Sequence, residues 1–412
     1  MAPLQAAGGT QSYTCITSTV TEQGLVAAQD GSGMVVDAKG IYMVYSSSTE
    51  LFLGVSTDGG ESFEQHVVAS GSGIDDPRIT MVQGHLYATW TAEVGSGSAH
   101  YQMEAGNTSG LVFGAPKTVG ETNGAIGSEV AAAGSNLYIV FIGADRAITA
   151  AVSHDYGSSF SVKELSDPNY AGKEINLAVN QSYVFVAYES TGTPSEPKHA
   201  AMLAVSEDNG STFSVRSIPA SGTAKEAILA VSQNGKLYVD YREGGGKANE
   251  IEVDRSGDFG ARISKPLDVS NNSGDSREPW IAADAKDVYV SFRDTTNSSN
   301  GSYNVFVGIS TDGGKSFTTK ELSNETDIVS LQDDNYSPEV AASNGTVGVA
   351  WSSAIGGVEQ EYISLSSNHG RTFNTLLLDQ SGRDRSTLLM SLDGAYYAMW
   401  QTDAGVGAAV CK

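Results

Sequence analysis

A single closed β-propeller of four-stranded antiparallel blades is the expected fold, and three features of the 412-residue sequence lead to it. The first is a β-run ending in an aromatic residue that recurs eight times: IYMVY (41–45), LYATW (86–90), LYIVF (137–141), VFVAY (184–188), LYVDY (237–241), VYVSF (288–292), VGVAW (347–351) and YYAMW (396–400). Successive runs start 45, 51, 47, 53, 51, 59 and 49 residues apart, the spacing of one blade per repeat. The second is a polar octet written five times: STDGGESF at 56–63, SHDYGSSF at 153–160, SEDNGSTF at 206–213, STDGGKSF at 310–317 and SSNHGRTF at 366–373. The third is composition. With 47 glycines, 10 prolines and 40% apolar residues held in short runs, the chain reads as all-β and able to bury a sizeable core.

Each aromatic run is a second strand. A short apolar segment before it (EVAAA, EINLAV, EAILAV, WIAAD, EVAAS) is the first strand, and a segment such as VFVGIS after it is the third. The octet then turns the chain into a fourth strand such as SFTTKELS. Within S-x-D-x-G-x-[ST]-F the glycine allows a backbone conformation that other residues resist, Asp and Ser bind local N–H groups, and Phe packs under the sheet. The eight runs predict eight blades, with seven or six as competing counts. Two blades carry EAGNTSGLVF (104–113) and DRSGDF (254–259) in place of a clean octet. The fragment GGKS is not the end of a phosphate-binding loop, because Ile309 stands where that motif needs its first glycine.

The last repeat supplies only TLLMS, AYYAMW and GVGAAVC, and SYTCITST (12–19) supplies the missing fourth strand. Laid over an intact octet, this arrangement places Cys15 opposite Cys411, so the expectation is a disulfide closing the one blade whose hairpin the chain ends interrupt. Such a bridge suits an oxidising compartment. Nine Asn-x-Ser/Thr sequons, at Asn107, Asn180, Asn209, Asn271, Asn297, Asn300, Asn324, Asn335 and Asn344, point the same way, to an extracellular or cell-surface protein. Residues 1–11 read as a disordered leader and 12–411 as one propeller domain. A formal charge of −24 disfavours nucleic acid and anionic lipid as partners, and no apolar run is long enough to insert in a bilayer.

The five octets resemble the Asp-box, or BNR, repeat of the sialidase superfamily, in which the motif is structural; its core positions here are Asp58, Asp155, Asp208, Asp312 and Asn368. The resemblance implies an enzyme with three arginines around a sugar carboxylate, a Tyr nucleophile and an Asp acid. PRIT (77–80) is similar to the family's entry to an inner strand, so Arg78 is the first candidate arginine, with Arg242 and Arg293 as the others, Tyr336 as nucleophile and Asp76 as acid. Aligned blades bring further charges to the same face, before strand one (Glu129, Glu174, Glu226, Arg277, Glu278, Glu339) and after strand two (Glu93, Glu189, Glu243, Asp294). Inter-blade ion pairs and backbone caps are their expected structural role, and a polar ligand site the functional one. No cofactor is required, although the acidic stretch LQDDNYSPE (331–339) could take Ca²⁺. The scattered histidines and two cysteines build no zinc motif, and no G-x-S-x-G or G-x-G-x-x-G sequence occurs. The expected function is therefore recognition of an extracellular glycan or surface polymer, or scaffolding, without turnover; the alternative is an exo-glycosidase of sialidase type.

Overall fold

The computed structural model describes residues 13–21, 25–27, 32–93, 101–109, 112–122, 127–168, 172–191, 199–232, 234–244, 248–297, 301–323, 337–355, 358–380 and 385–412. They form eight antiparallel sheets, six of four strands and two of five, and no helix. We number the blades along the chain. Blade 1 spans 26–70, blade 2 75–122, blade 3 129–164, blade 4 172–217, blade 5 223–268, blade 6 276–321 and blade 7 339–379. Blade 8 combines Arg385–Leu392, Ala395–Thr402 and Gly405–Cys411 with Cys15–Thr21 from the other end of the chain.

The ring is visible in its packing. First strands of consecutive blades touch from blade 2 round to blade 8, and Met34–Asp37 of blade 1 touches the first strands of both blade 2 and blade 8. Each of the eight junctions holds its own apolar cluster. The aromatics ending the eight runs (Tyr45, Trp90, Phe141, Tyr188, Tyr241, Phe292, Trp351 and Trp400) are all buried in these clusters, each against the preceding blade. They are core, not an exposed stacking platform. A blade has two apolar faces and cannot bury either alone, so a closed ring is the arrangement that leaves none of them to water.

The octet turns are held as the residue types predict. Ser310 Oγ donates to Asp312 Oδ1 at 2.8 Å and accepts from Gly314 N at 2.9 Å, while Asp312 Oδ2 accepts from Ser316 Oγ at 2.7 Å. The same knot occurs around Asp58, Asp155, Asp208 and Asn368. Blade 5 corrects the sequence reading, because residues 256–263 (SGDFGARI) tie the same knot. Ser256 Oγ donates to Asp258 Oδ1 at 2.7 Å, and Arg262 Nε replaces the usual hydroxyl on Asp258 Oδ2 at 2.7 Å. Arg at that position hid the repeat. The turn's glycine has positive φ in all six knots, and it is also the point of contact with the preceding blade: a Cβ on Gly60 would come within 2.5 Å of Val410, and one on Gly370 within 2.9 Å of Ile309.

A second recurring tie joins blades at the rim. Lys117 Nζ donates to Ser158 O at 2.6 Å, Arg216 Nη1 to Ala261 O at 3.0 Å, and Lys320 Nζ to Arg371 O, in each case from a blade's outer segment to the next blade's knot. In blade 8 the knot is replaced covalently. Cys15 and Cys411 are register partners across strands four and three and form a disulfide. The bridge spans 396 residues, so in the chain-entropy account it removes about 5 kcal/mol of unfolded-state freedom.

Two outcomes follow. The Cys15→Ser/Cys411→Ser variant, or the reduced protein, will show a lower urea midpoint; a midpoint unchanged by strong reductant would refute the closing role. Gly370→Ala will cost more than the left-handed strain of about 1–2 kcal/mol, because a clash with Ile309 adds to it. Gly394→Ala is the control, since Gly394 has φ +80 and nothing within 4 Å of the added Cβ, and equal losses in urea titrations of the two variants would refute the packing role.

Candidate functional site

The charges assigned by sequence to loops lie inside strands. Asp76 and Arg78 are in Asp75–Val82, Glu174 in Gly172–Asn180, Glu226 in Thr223–Val231, and Arg277 and Glu278 in Ser276–Asp284. Glu129 and Glu339 open their strands. The ends of the second strands carry Glu93, Glu189, Arg242, Glu243, Arg293 and Asp294. First strands run on because each of these four contains a β-bulge, between Asp75 and Arg78, Lys173 and Asn176, Lys225 and Ile228, and Arg277 and Trp280. The bulged residues Asp76, Glu174, Glu226 and Glu278 have φ of 52, 54, 56 and 51°, a region costly for anything but glycine. A bulge re-aims a side chain, and here it swings an acid toward the next blade.

The acids cap that neighbour's backbone. Asp76 Oδ2 accepts from Ser128 N at 2.8 Å, Glu226 Oε2 from Glu278 N at 3.0 Å, and Glu339 Oε2 from Leu389 N at 2.8 Å. Glu129 Oε2 accepts from Ser32 Oγ at 3.1 Å. Asp294 accepts from Ser276 Oγ, Asn272 and the Thr296 amide, and Glu243 from Ser221 Oγ.

Arg78 does not meet the other two arginines. Its guanidinium bonds Asp76 Oδ1 at 3.0 Å and Ser128 O at 2.7 Å and is 2% exposed, between blades 2 and 3. Arg242 pairs with Glu226 in blade 5, and Arg293 with Glu278 in blade 6, diametrically across the ring from blade 2. The three-arginine grip implied by the resemblance is therefore not assembled, although Arg242 and Arg293 are neighbours through the Glu226–Glu278 contact. Tyr336, proposed as nucleophile, lies outside the described residues, as do 331–335 of the acidic stretch proposed for Ca²⁺. Among the described residues no group of three His, Cys, Asp or Glu side chains could hold a metal.

Blades 4, 5 and 6 do assemble a site. Across strands one and two, Lys173 stands opposite Glu189, Lys225 opposite Arg242, and Arg277 opposite Arg293. Two like-charged cross-strand pairs in adjacent blades work against stability. The bulged glutamates neutralise one base in each blade, Lys173 Nζ lying 2.8 Å from Glu174 Oε1, Arg242 pairing with Glu226 and Arg293 with Glu278, while Arg277 Nε bonds Asp275 Oδ2 at 2.8 Å. Arg293 and Arg277 lie 4.8 and 5.6 Å from the Tyr303 ring centroid, and Tyr303 OH donates to Asp275 Oδ2 at 2.6 Å. Glu189, with no exposed side-chain surface, makes a short bond to His199 Nδ1. Burial, reinforced by Glu174, pushes Glu189 up to about 8; burial also raises Glu226 and lowers His199. Five basic residues, Lys173, Lys225, Arg242, Arg277 and Arg293, gather here in a chain of charge −24.

Lys173, Lys225, His199, Asp275 and Tyr303 were missed by sequence reasoning. The signal was there as Lys-Glu at 173–174 and 225–226 and Arg-Glu at 277–278, one basic-acidic dipeptide per blade.

No protein-family model and no curated protein matches the chain. Among solved structures, one described as a new family of polysaccharide lyase, PL25 ulvan lyase, aligns with a TM-score of 0.53 at 10% identity, over 88% of this chain and 96% of that one. The two share a fold. The same enzyme bound to -[GlcA(1-4)Rha3S]- aligns at 0.52 and 11% over the same shares, and the Hadza microbial sialidase Hz136 at 0.46 and 14%, over 89% of this chain and 74% of that one.

The buried acids set a pH dependence. Burial raises Glu189 and Glu252 to about 8 and Asp254 to about 7, from 4.5, 4.5 and 3.8. Between those values the folded state holds protons that the unfolded chain has released, so stability falls as pH rises from about 4 to 8. In the opposite direction, hydrogen bonds from the residue four positions on hold Asp155, Asp208 and Asp258 down to about 2, and the stability they give is lost below about pH 4. Urea midpoints will therefore peak near pH 4–5, and Asp254→Asn will flatten the neutral limb; a flat profile from pH 5 to 8 would refute this.

Proposed function

We propose that the blade 4–6 face binds a carboxylate-bearing polysaccharide, as an extracellular or cell-surface Asp-box propeller. The observation that carries the reading is the pair of like-charged cross-strand contacts, Lys225 with Arg242 and Arg277 with Arg293, kept in adjacent blades despite their cost. Guanidinium groups match a carboxylate in bidentate geometry, and Arg277 and Lys173, with side chains 38% and 51% exposed, are the ones open to an incoming chain. The fold shared with the ulvan lyase, whose structure is bound to -[GlcA(1-4)Rha3S]-, supports this reading.

A second reading, β-elimination, is favoured by the His199–Glu189 dyad. A neutral imidazole beside cations that hold a uronate could take the proton α to the carboxylate; the C4–O bond then breaks, leaving a C4–C5 double bond, and solvent protonates the departing oxygen. The exo-sialidase reading has less support, because Arg78 is spent between blades 2 and 3.

Titration calorimetry with hexagalacturonate tests binding. Affinity should fall at least tenfold in Arg277→Ala and Lys173→Ala, and equal affinity in wild type and both variants would refute the site. Ultraviolet absorbance of an unsaturated uronate, lost in His199→Ala, would establish elimination, whereas binding without absorbance leaves recognition alone. Release of fluorophore from a sialoside, abolished in Arg78→Ala, would reverse the preference in favour of a sialidase.

A further inference from the structure

On the opposite face of the ring, where the octet turns lie, blades 6 and 7 enclose an open groove of about 460 Å³. Ile309, Phe317, Thr311 and Thr318 line it together with three cations, Lys286, Lys320 and Arg371. The acid present, Asp287, is withdrawn, since its side chain is 4% exposed and Oδ2 lies 2.5 Å from His369 Nδ1. Lys320 is tied by one bond to the Arg371 backbone carbonyl, and both residues line the groove. Among the described residues neither the Lys286 ammonium nor the Arg371 guanidinium has an ion-pair partner, and both residues are exposed.

The repeat supplies an internal control. Three positions define such a junction: the residue two before the aromatic run, the third residue after the octet's aromatic, and the residue after the next blade's octet glycine. Between blades 4 and 5 these are Ser182, Arg216 and Ala261, and between blades 3 and 4 they are Ser135, Lys163 and Ser211. Both junctions have the rim cation and nothing more. At blades 6 and 7 all three positions are basic, as Lys286, Lys320 and Arg371. The rim tie needs only Lys320, so the other two cations serve no structural purpose that these two junctions share. Unpaired like charges at one place raise the folded state's free energy unless an anion joins them.

We propose that this groove is a second ligand site, independent of the blade 4–6 face, for an anionic sugar chain whose sulfate or carboxylate groups pair with Lys286, Lys320 and Arg371 while its ring lies on Ile309 and Phe317. The volume is that of an ordinary small-ligand cleft, and the hydroxyls of Thr311 and Thr318 provide partners for sugar hydroxyls. Repulsion from the chain's distant acids is screened within about 8 Å at 0.15 M salt, so the local cations decide binding there.

The test is fluorescence polarisation at that salt with labelled heparin hexasaccharide and labelled hexagalacturonate, on wild type, Lys286→Ser/Arg371→Ser and Arg277→Ala. A loss of at least tenfold for either probe in the double variant, with Arg277→Ala unchanged for that probe, is the expected result; a response to heparin alone assigns sulfate, and a response to hexagalacturonate assigns carboxylate. Equal affinity of wild type and double variant for both probes, or binding of neither, overturns the groove. A loss confined to Arg277→Ala overturns it too while supporting the blade 4–6 site, so the two readings fail separately. Both substitutions are at exposed positions, and an unchanged urea midpoint verifies that the fold is intact.

Discussion

The innermost strand of a propeller blade has one edge that faces the axis and no strand to pair with. Its N–H groups must find acceptors elsewhere, and in this ring the acceptors are side chains reaching from the blade before. Asp76, Glu226 and Glu339 each cap the next blade's backbone in this way, and Asn176 does the same for Leu229. Meeting that requirement with carboxylates has a chemical consequence. Acids brought to the ring mouth must be balanced by bases, and the bases that balance them in blades 4–6 are the groups available to a ligand. Structure and candidate site are thus made of the same residues, and the strained φ values of Glu174, Glu226 and Glu278 belong to both.

The architecture was legible because it is written many times over. Eight aromatic runs, five octets and two terminal cysteines each pointed to the ring and its closure, and each kind of signal concerned local chemistry repeated at a fixed interval. The bulges were not legible. Nothing in Lys-Glu or Arg-Glu announces that the acid will adopt a left-handed conformation, because that depends on the neighbouring blade offering an N–H at the right place. The position of Arg78 was readable but its role was not, since a buried guanidinium bonded to Asp76 and a carbonyl looks the same in sequence as one awaiting a substrate. The octet of blade 5 was overlooked for a different reason: Arg262 meets Asp258 as an ion pair where the repeat elsewhere uses a hydroxyl, so the chemistry was conserved within the chain and the letter was not.

The repeat also separates what is architectural from what is particular. Features shared by most blades, such as the serine–aspartate knot and the buried aromatic, account for folding. Features confined to a few, such as the basic-acidic dipeptides of blades 4–6 and the three coincident cations between blades 6 and 7, stand out against that background. Comparison of a blade with its own siblings does here what comparison with other proteins usually does.

The covalent closure of blade 8 has a mechanical consequence. Thr14 and Lys412 exchange two backbone hydrogen bonds at 3.0 Å, so both ends of the described chain leave the rim side by side, one residue beyond the disulfide. Tension applied through those ends would be carried across the short sulfur bridge and would not reach the blades. The propeller would then behave under load as an inextensible bead that is not peeled open from its termini.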